Sequence, residues 1–145
     1  MTRLLCFLFS LILSQICLAQ ESLLSQDAKY DSIILSSSMP NHAKLRLISK
    51  CNEAAKNFAQ QDIKNDSAFI YVLGGIAIIE YTTDEAFEKR YNVRFHSYGC
   101  NSAQQQCLIN YNWLIFDYLE TKFGKIWRKE IRKDAVGFKE WKRKN

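Results

Sequence analysis

Cys100 and His96 are the pair whose chemistry would be simplest, a thiol beside an imidazole able to deprotonate it. On a strand, residues 96, 98 and 100 point to one side, so His96 and Cys100 stand about 13 Å apart. That is too long for a direct hydrogen bond, and no thiol-enzyme signature surrounds either residue. Cys100 therefore reads as structural. Three of the five cysteines, Cys51, Cys100 and Cys107, lie beyond the first twenty residues. A short loop between Cys100 and Cys107 can bring them within bonding reach, and that bridge is the expectation, with Cys51 a buried free thiol on a helix face. Three reduced core cysteines are the alternative. There is no Cys-x-x-Cys, and His42, His96 and the scattered acids lack metal-ligand spacing. No metal and no cofactor are expected.

Glu80, Asp84, Glu85 and Glu88 are close enough in sequence to line a pocket as an acid/base pair. With Lys89, Arg90 and Arg94 beside them, a solvated, ion-paired surface is the preferred reading. The glycines suggest a different site. If strands ending near Leu73 and Tyr98 run parallel, Gly74 and Gly75 share a sheet edge with Gly99, Asn101 and Ser102. A helix starting at Ser102 would point its amino end at the same edge. Crevices outside the carboxyl ends of strands bind ligands, and helix amino ends favour anions, so these five residues form a candidate anion or ligand crevice. Tight-turn glycines are the plainer explanation.

Charge is segregated. Residues 121–145 carry ten Lys/Arg against three acids, whereas residues 20–120 carry nine against twelve. Lys125, Arg128, Lys129, Arg132 and Lys133 thus form a candidate basic surface for an acidic protein, anionic lipid or anionic polysaccharide, with Trp127 and Trp141 assisting at a membrane. Nucleic acid is not an expected partner for an exported chain.

The elements that must position these groups follow from periodicity. Pro40 suits a helix start, and Leu45, Ile48, Cys51, Ala55, Phe58 and Ala59 repeat at helical spacing to about Gln61. Residues 68–73 read as a buried strand. Residues 76–81 come next as a second strand across a Gly74-Gly75 hairpin turn. Thr82 and Glu85 form a capping box for a short helix to Tyr91, and residues 93–98 alternate as a further strand. Ser102 and Gln105 make a second capping box. Behind it Cys107, Leu108, Tyr111, Leu114, Ile115, Tyr118, Leu119 and Phe123 form one apolar stripe, stopped by Gly124. A last helix runs from Lys125, with Val136-Gly137 a point of division. The sum is an α+β fold, two or three strands packed against about four helices.

Before these elements, residues 1–19 have the form of a secretory leader. Arg3 precedes an apolar run interrupted by Ser10, Ser14 and Gln15, ending at Ala19. Cleavage there leaves 126 of the 145 residues, one domain's worth, with no repeat or low-complexity tract. A transmembrane anchor and lipidation at Cys17 are the competing readings of the leader. The expected organisation is a leader over 1–19, a polar lead-in over 20–39 and one domain over 40–145. An apolar share of 48% argues against disorder.

Phe87-Glu88-Lys89-Arg90-Tyr91, the strand closing on Gly99-Cys100, Tyr111-Asn112 and the block 122–134 occur in an order that resembles the FEKKY-domain proteins of Bacteroidetes-like bacteria. The resemblance spans roughly residues 67–138, with arginine in the motif's fourth place. It implies an exported or envelope protein, periplasmic or secreted, and transfers no catalytic residue. The reading thus favours a binding or accessory protein. A peripheral binder of anionic surfaces and an enzyme sited near Gly74, His96 and Cys100 stand as alternatives.

Overall fold

A computed structural model describes residues 25–48, 51–74, 79–99 and 105–145. The chain divides into two compact units, Met1–Ser49 and Lys50–Asn145. In the first unit, residues 25–36 form helix α1 where a polar lead-in was expected. Its end is tied to α2 (Asn41–Leu47) by Lys44 Nζ, which donates to the Leu35 carbonyl at 3.0 Å. Pro40 caps α2 in extended conformation.

The single helix expected from Pro40 to Gln61 is in fact broken. Ile48 is extended, with ψ 141°, and α3 (Cys51–Lys64) begins three residues later. The reason lies in the phase of the apolar stripe. Positions 45, 48, 51, 55 and 58 keep helical spacing straight across the break, so periodicity alone cannot register it.

The second unit carries the α+β fold. Strand β1 (Phe69–Val72) pairs in parallel with β2 (Arg94–Ser97), Phe69 opposite Arg94 and Val72 opposite Ser97, with helix α4 (Asp84–Tyr91) between them in the chain. Residues 79–81 carry no strand pairing; Gly75 and residues 76–78, the rest of the expected hairpin, lie outside the described residues. Because side chains alternate, Ile70, Val72, Phe95 and Ser97 share one face of this ribbon, and Phe69, Tyr71, Arg94 and His96 the other. Gly74 lies where the strand ends converge: a Cβ there would come within 2.8 Å of the Gly99 amide nitrogen, so only glycine fits.

Helix α5 (Gln105–Phe123) is the central element. Its buried residues, Cys107, Leu108, Tyr111, Asn112, Ile115, Phe116 and Leu119, follow the expected stripe in part: Leu114, Tyr118 and Phe123 are only half-buried, and Phe116 and the polar Asn112 are added. Asn112 is fully buried, accepts from the Tyr71 N–H at 2.9 Å, and donates to the carbonyls of Tyr71 (2.8 Å) and Val136 (2.9 Å). Val136 N–H in turn donates to the Tyr71 carbonyl, and Ala135 makes an antiparallel bridge with Val72. One asparagine thus satisfies backbone groups of two segments in the core, where an unmet one costs about 1–3 kcal/mol. The Tyr111 hydroxyl reaches Asp62 of α3 at 2.7 Å, and burial first, then the Asp62 charge, pushes Tyr111 far above the ordinary tyrosine range.

Gly124 (φ 66°) ends α5 as expected. Beyond it, the expected last helix is divided into separate pieces. Ile126–Lys129 is a 3₁₀ turn, residues 130–137 are irregular, and α6 spans Phe138–Lys144, its start set by Gly137 at φ 75°. The division at Val136-Gly137 lets Phe138 and Trp141 of α6 close on Phe116 of α5 and Trp127 of the 3₁₀ turn. The six ring-centroid distances among these four lie between 5.4 and 6.3 Å.

A disulfide joins Cys51, the first residue of α3, to Cys107 in the first turn of α5, with Cα atoms 5.7 Å apart. This corrects the expected Cys100–Cys107 bridge and the expected free Cys51. The long-range packing of α3 on α5 brings these two helix starts together, a juxtaposition that adjacency in sequence does not reveal. Cys100 lies outside the described residues. Closing a loop of 56 residues stabilises the fold by about 4 kcal/mol on the chain-entropy argument.

Candidate functional site: a crevice at the strand ends

The parallel pairing meets the condition on which a crevice was expected. Of the five residues proposed for it, Gly74 and Gly99 do meet at the carboxyl ends of β1 and β2. Gly75, Asn101 and Ser102 lie outside the described residues, as does the second capping box. A cavity of ≈ 370 Å³ opens beside these ends but is lined by other groups. Val72, Phe95 and Ser97 contribute from the ribbon, Ile79, Glu80, Tyr81 and Thr82 from the segment before α4, Asp84, Glu85 and Glu88 from α4 itself. Arg132 comes from the far end of the chain.

Arg132 organises the walls. Although it was expected on a basic surface, its side chain is only 7% exposed. Its Nε and Nη2 donate to the two oxygens of Asp134 at 2.9 and 2.6 Å. Its Nη1 donates to Asp84 Oδ2 at 2.9 Å and to the Ile79 carbonyl at 3.0 Å. The guanidinium also lies over the rings of Tyr81 and Phe95, 4.7 and 5.4 Å from their centroids. Hydrogen bonding to Asp134 first, with the charges of Asp134 and Asp84, pushes Arg132 above its already high range despite burial. One side chain therefore fixes the 79–84 segment against β2.

The capping box expected at Thr82 and Glu85 does not form. Thr83 precedes the helix without a side-chain cap, and Asp84 Oδ2 accepts the Tyr81 N–H at 2.9 Å instead. The aspartate wins because it also holds Arg132, a charge-assisted bond that Glu85, turned outward to Lys89, does not offer. Glu88 points the other way along α4, where its Oε1 accepts the Phe95 N–H at 2.8 Å. Asp84 Oδ1 is buried and takes no hydrogen bond among the described residues.

The carboxylates expected at a solvated surface thus line a cavity, four of them beside one guanidinium; the amino end of the helix on which the anion preference rested lies outside the described residues. His96 faces away from it. Its ring lies edge-on to Phe69 and Tyr71, 5.8 and 5.7 Å between centroids, on the opposite face of the ribbon. Cys100, the thiol of the enzyme alternative, lies outside the described residues.

The basic surface is also reduced. Arg128 pairs with both oxygens of Glu120 at 2.8 and 2.7 Å and lies over Trp141, leaving Lys125, Lys129 and Lys133 exposed. Trp127 and Trp141 are buried among other aromatics and are not available to a membrane. Among the described residues no helix is long and apolar enough to cross one, and no group of three or more His, Cys, Asp or Glu is arranged to hold a metal ion.

Arg132 was expected on a basic surface and Phe95 only within a strand; neither was read as lining a crevice. An arginine inside a cationic tail looks like its neighbours. No family model, no curated protein and no solved structure matches the chain.

Proposed function

We propose that the chain is an exported accessory domain of a bacterial envelope, of the FEKKY-domain kind, that acts by binding a ligand rather than by transforming one. The observation that carries this reading is the crevice at the carboxyl ends of β1 and β2. Its inner ionisable groups are used to build walls: Arg132 on Asp84 and Asp134, Glu88 on the Phe95 amide. Such pairing defines a shape. The Cys51–Cys107 bridge supports export, because structural disulfides persist in oxidising compartments.

Expression in a bacterial host with the leader intact tests both parts. Mass analysis of material from the periplasm or medium should give residues 20–145 with one free thiol before reduction. A retained leader or a lipid at Cys17 overturns free export. Amide NMR of the same protein against a fragment set of mixed charge should then shift Tyr81, Phe95 and Ser97 together. A set that leaves all three unmoved overturns the binding reading.

A further inference from the structure

We infer that the crevice takes a small organic cation, an amine carried on a short apolar body; the inference rests on the binding reading above and names its ligand class. The cavity of ≈ 370 Å³ falls at the low end of small-molecule sites. An anion finds little there. Of the five N–H donors of Arg132, the only cation among the described lining residues, four are already committed to Asp134, Asp84 and the Ile79 carbonyl.

Acceptors, by contrast, are in surplus. Glu88 uses one oxygen on the Phe95 amide, and its other takes no hydrogen bond among the described residues. Glu80, on the exposed rim, has no ion-pair partner among them. Asp84 Oδ1 is an orphaned acceptor in the wall between, buried away from water, where a missing partner is costly. The carboxylates do not converge as a metal site does, which separates an organic cation from a bare divalent one. Apolar walls supply the second half of the fit. Val72 forms the back, while Ile79 and Tyr81 at the rim are 55% and 50% exposed. A short alkyl body laid on them would leave its ammonium facing Glu80 and Glu88.

Hexylammonium, hexanol and hexanoate form a matched set of probes, titrated into the full chain at low salt and followed by amide NMR. Hexylammonium should bind roughly tenfold more tightly than hexanoate, a difference of one unpaired charge contact. Glu88→Gln keeps an acceptor for the Phe95 N–H while removing the charge. It should weaken hexylammonium about fivefold and leave hexanol unchanged. Should that variant not fold, Glu80→Gln on the rim carries the same comparison. Hexanoate binding as tightly as hexylammonium overturns the ligand class and leaves the binding reading standing. Hexylammonium that fails to shift Tyr81, Phe95 and Ser97 overturns it too, and only a silent mixed-charge fragment set removes the binding reading with it.

Discussion

Two regions of the second unit close on themselves by opposite means. Where α5 meets α6, Phe116, Trp127, Phe138 and Trp141 stack on one another, and the polar tips are satisfied at the margin. Trp127 Nε1 donates to Glu120 at 3.2 Å and Trp141 Nε1 to Asp117 at 2.7 Å. At the strand ends the contacts are ionic and aimed, one guanidinium holding three segments, with apolar side chains left in water at the rim. The first arrangement is non-directional and gains from every square ångström buried. The second depends on geometry and contributes less net stability, because charges must be desolvated to make it. Stability is thus concentrated at one end of the unit, and specific shape at the other.

The contrast breaks most strongly at Trp127. Replacing this fully buried ring in Trp127→Ala should cost about 4 kcal/mol of global stability, read as a lowered midpoint in urea with an unchanged slope. A loss under about 1 kcal/mol would mean that the aromatic cluster is not the stabilising end. Arg132→Met should cost about 2 kcal/mol, discounted because Asp84 and Asp134 keep some solvent. Its distinguishing sign is local: hydrogen exchange at Tyr81 and Asp84 should accelerate far more than at Ile115 in α5. Equal acceleration at both places would show that the arginine holds the whole unit and not the crevice wall. Lys89→Ala marks the lower end. The Lys89–Glu85 pair is about three-quarters exposed on both sides, and its loss should change stability by no more than about 0.5 kcal/mol.

The same division explains how much could be read in the sequence. The apolar stripe of α5, the strands around Ile70 and Phe95, and the stop at Gly124 arise from local patterning, and the structure has them. The break at Ile48 escaped because the stripe keeps phase across it. The Cys51–Cys107 bridge escaped because it depends on which helices pack together. At the crevice, position along the fold was legible from the paired glycines, but its chemistry was not. Arg132 reaches Asp84 across 48 residues of sequence, and nothing in its immediate neighbourhood distinguishes it from the exposed Lys129 or Lys133.

The amide of Asn112 has a consequence beyond the core it sits in. Among the described residues the ribbon has two strands, and such a ribbon normally presents two rows of unmet backbone groups, each a template for another chain. Here Asn112 and residues 134–136 take up the outer side of β1, and on β2 the Glu88 carboxylate occupies the outward Phe95 N–H. The β1 side of the ribbon, and β2 at Phe95, are therefore closed to a further strand. Growth by strand addition into fibrils is hindered there, a reason to expect a partner to engage side chains at the strand ends rather than backbone along β1.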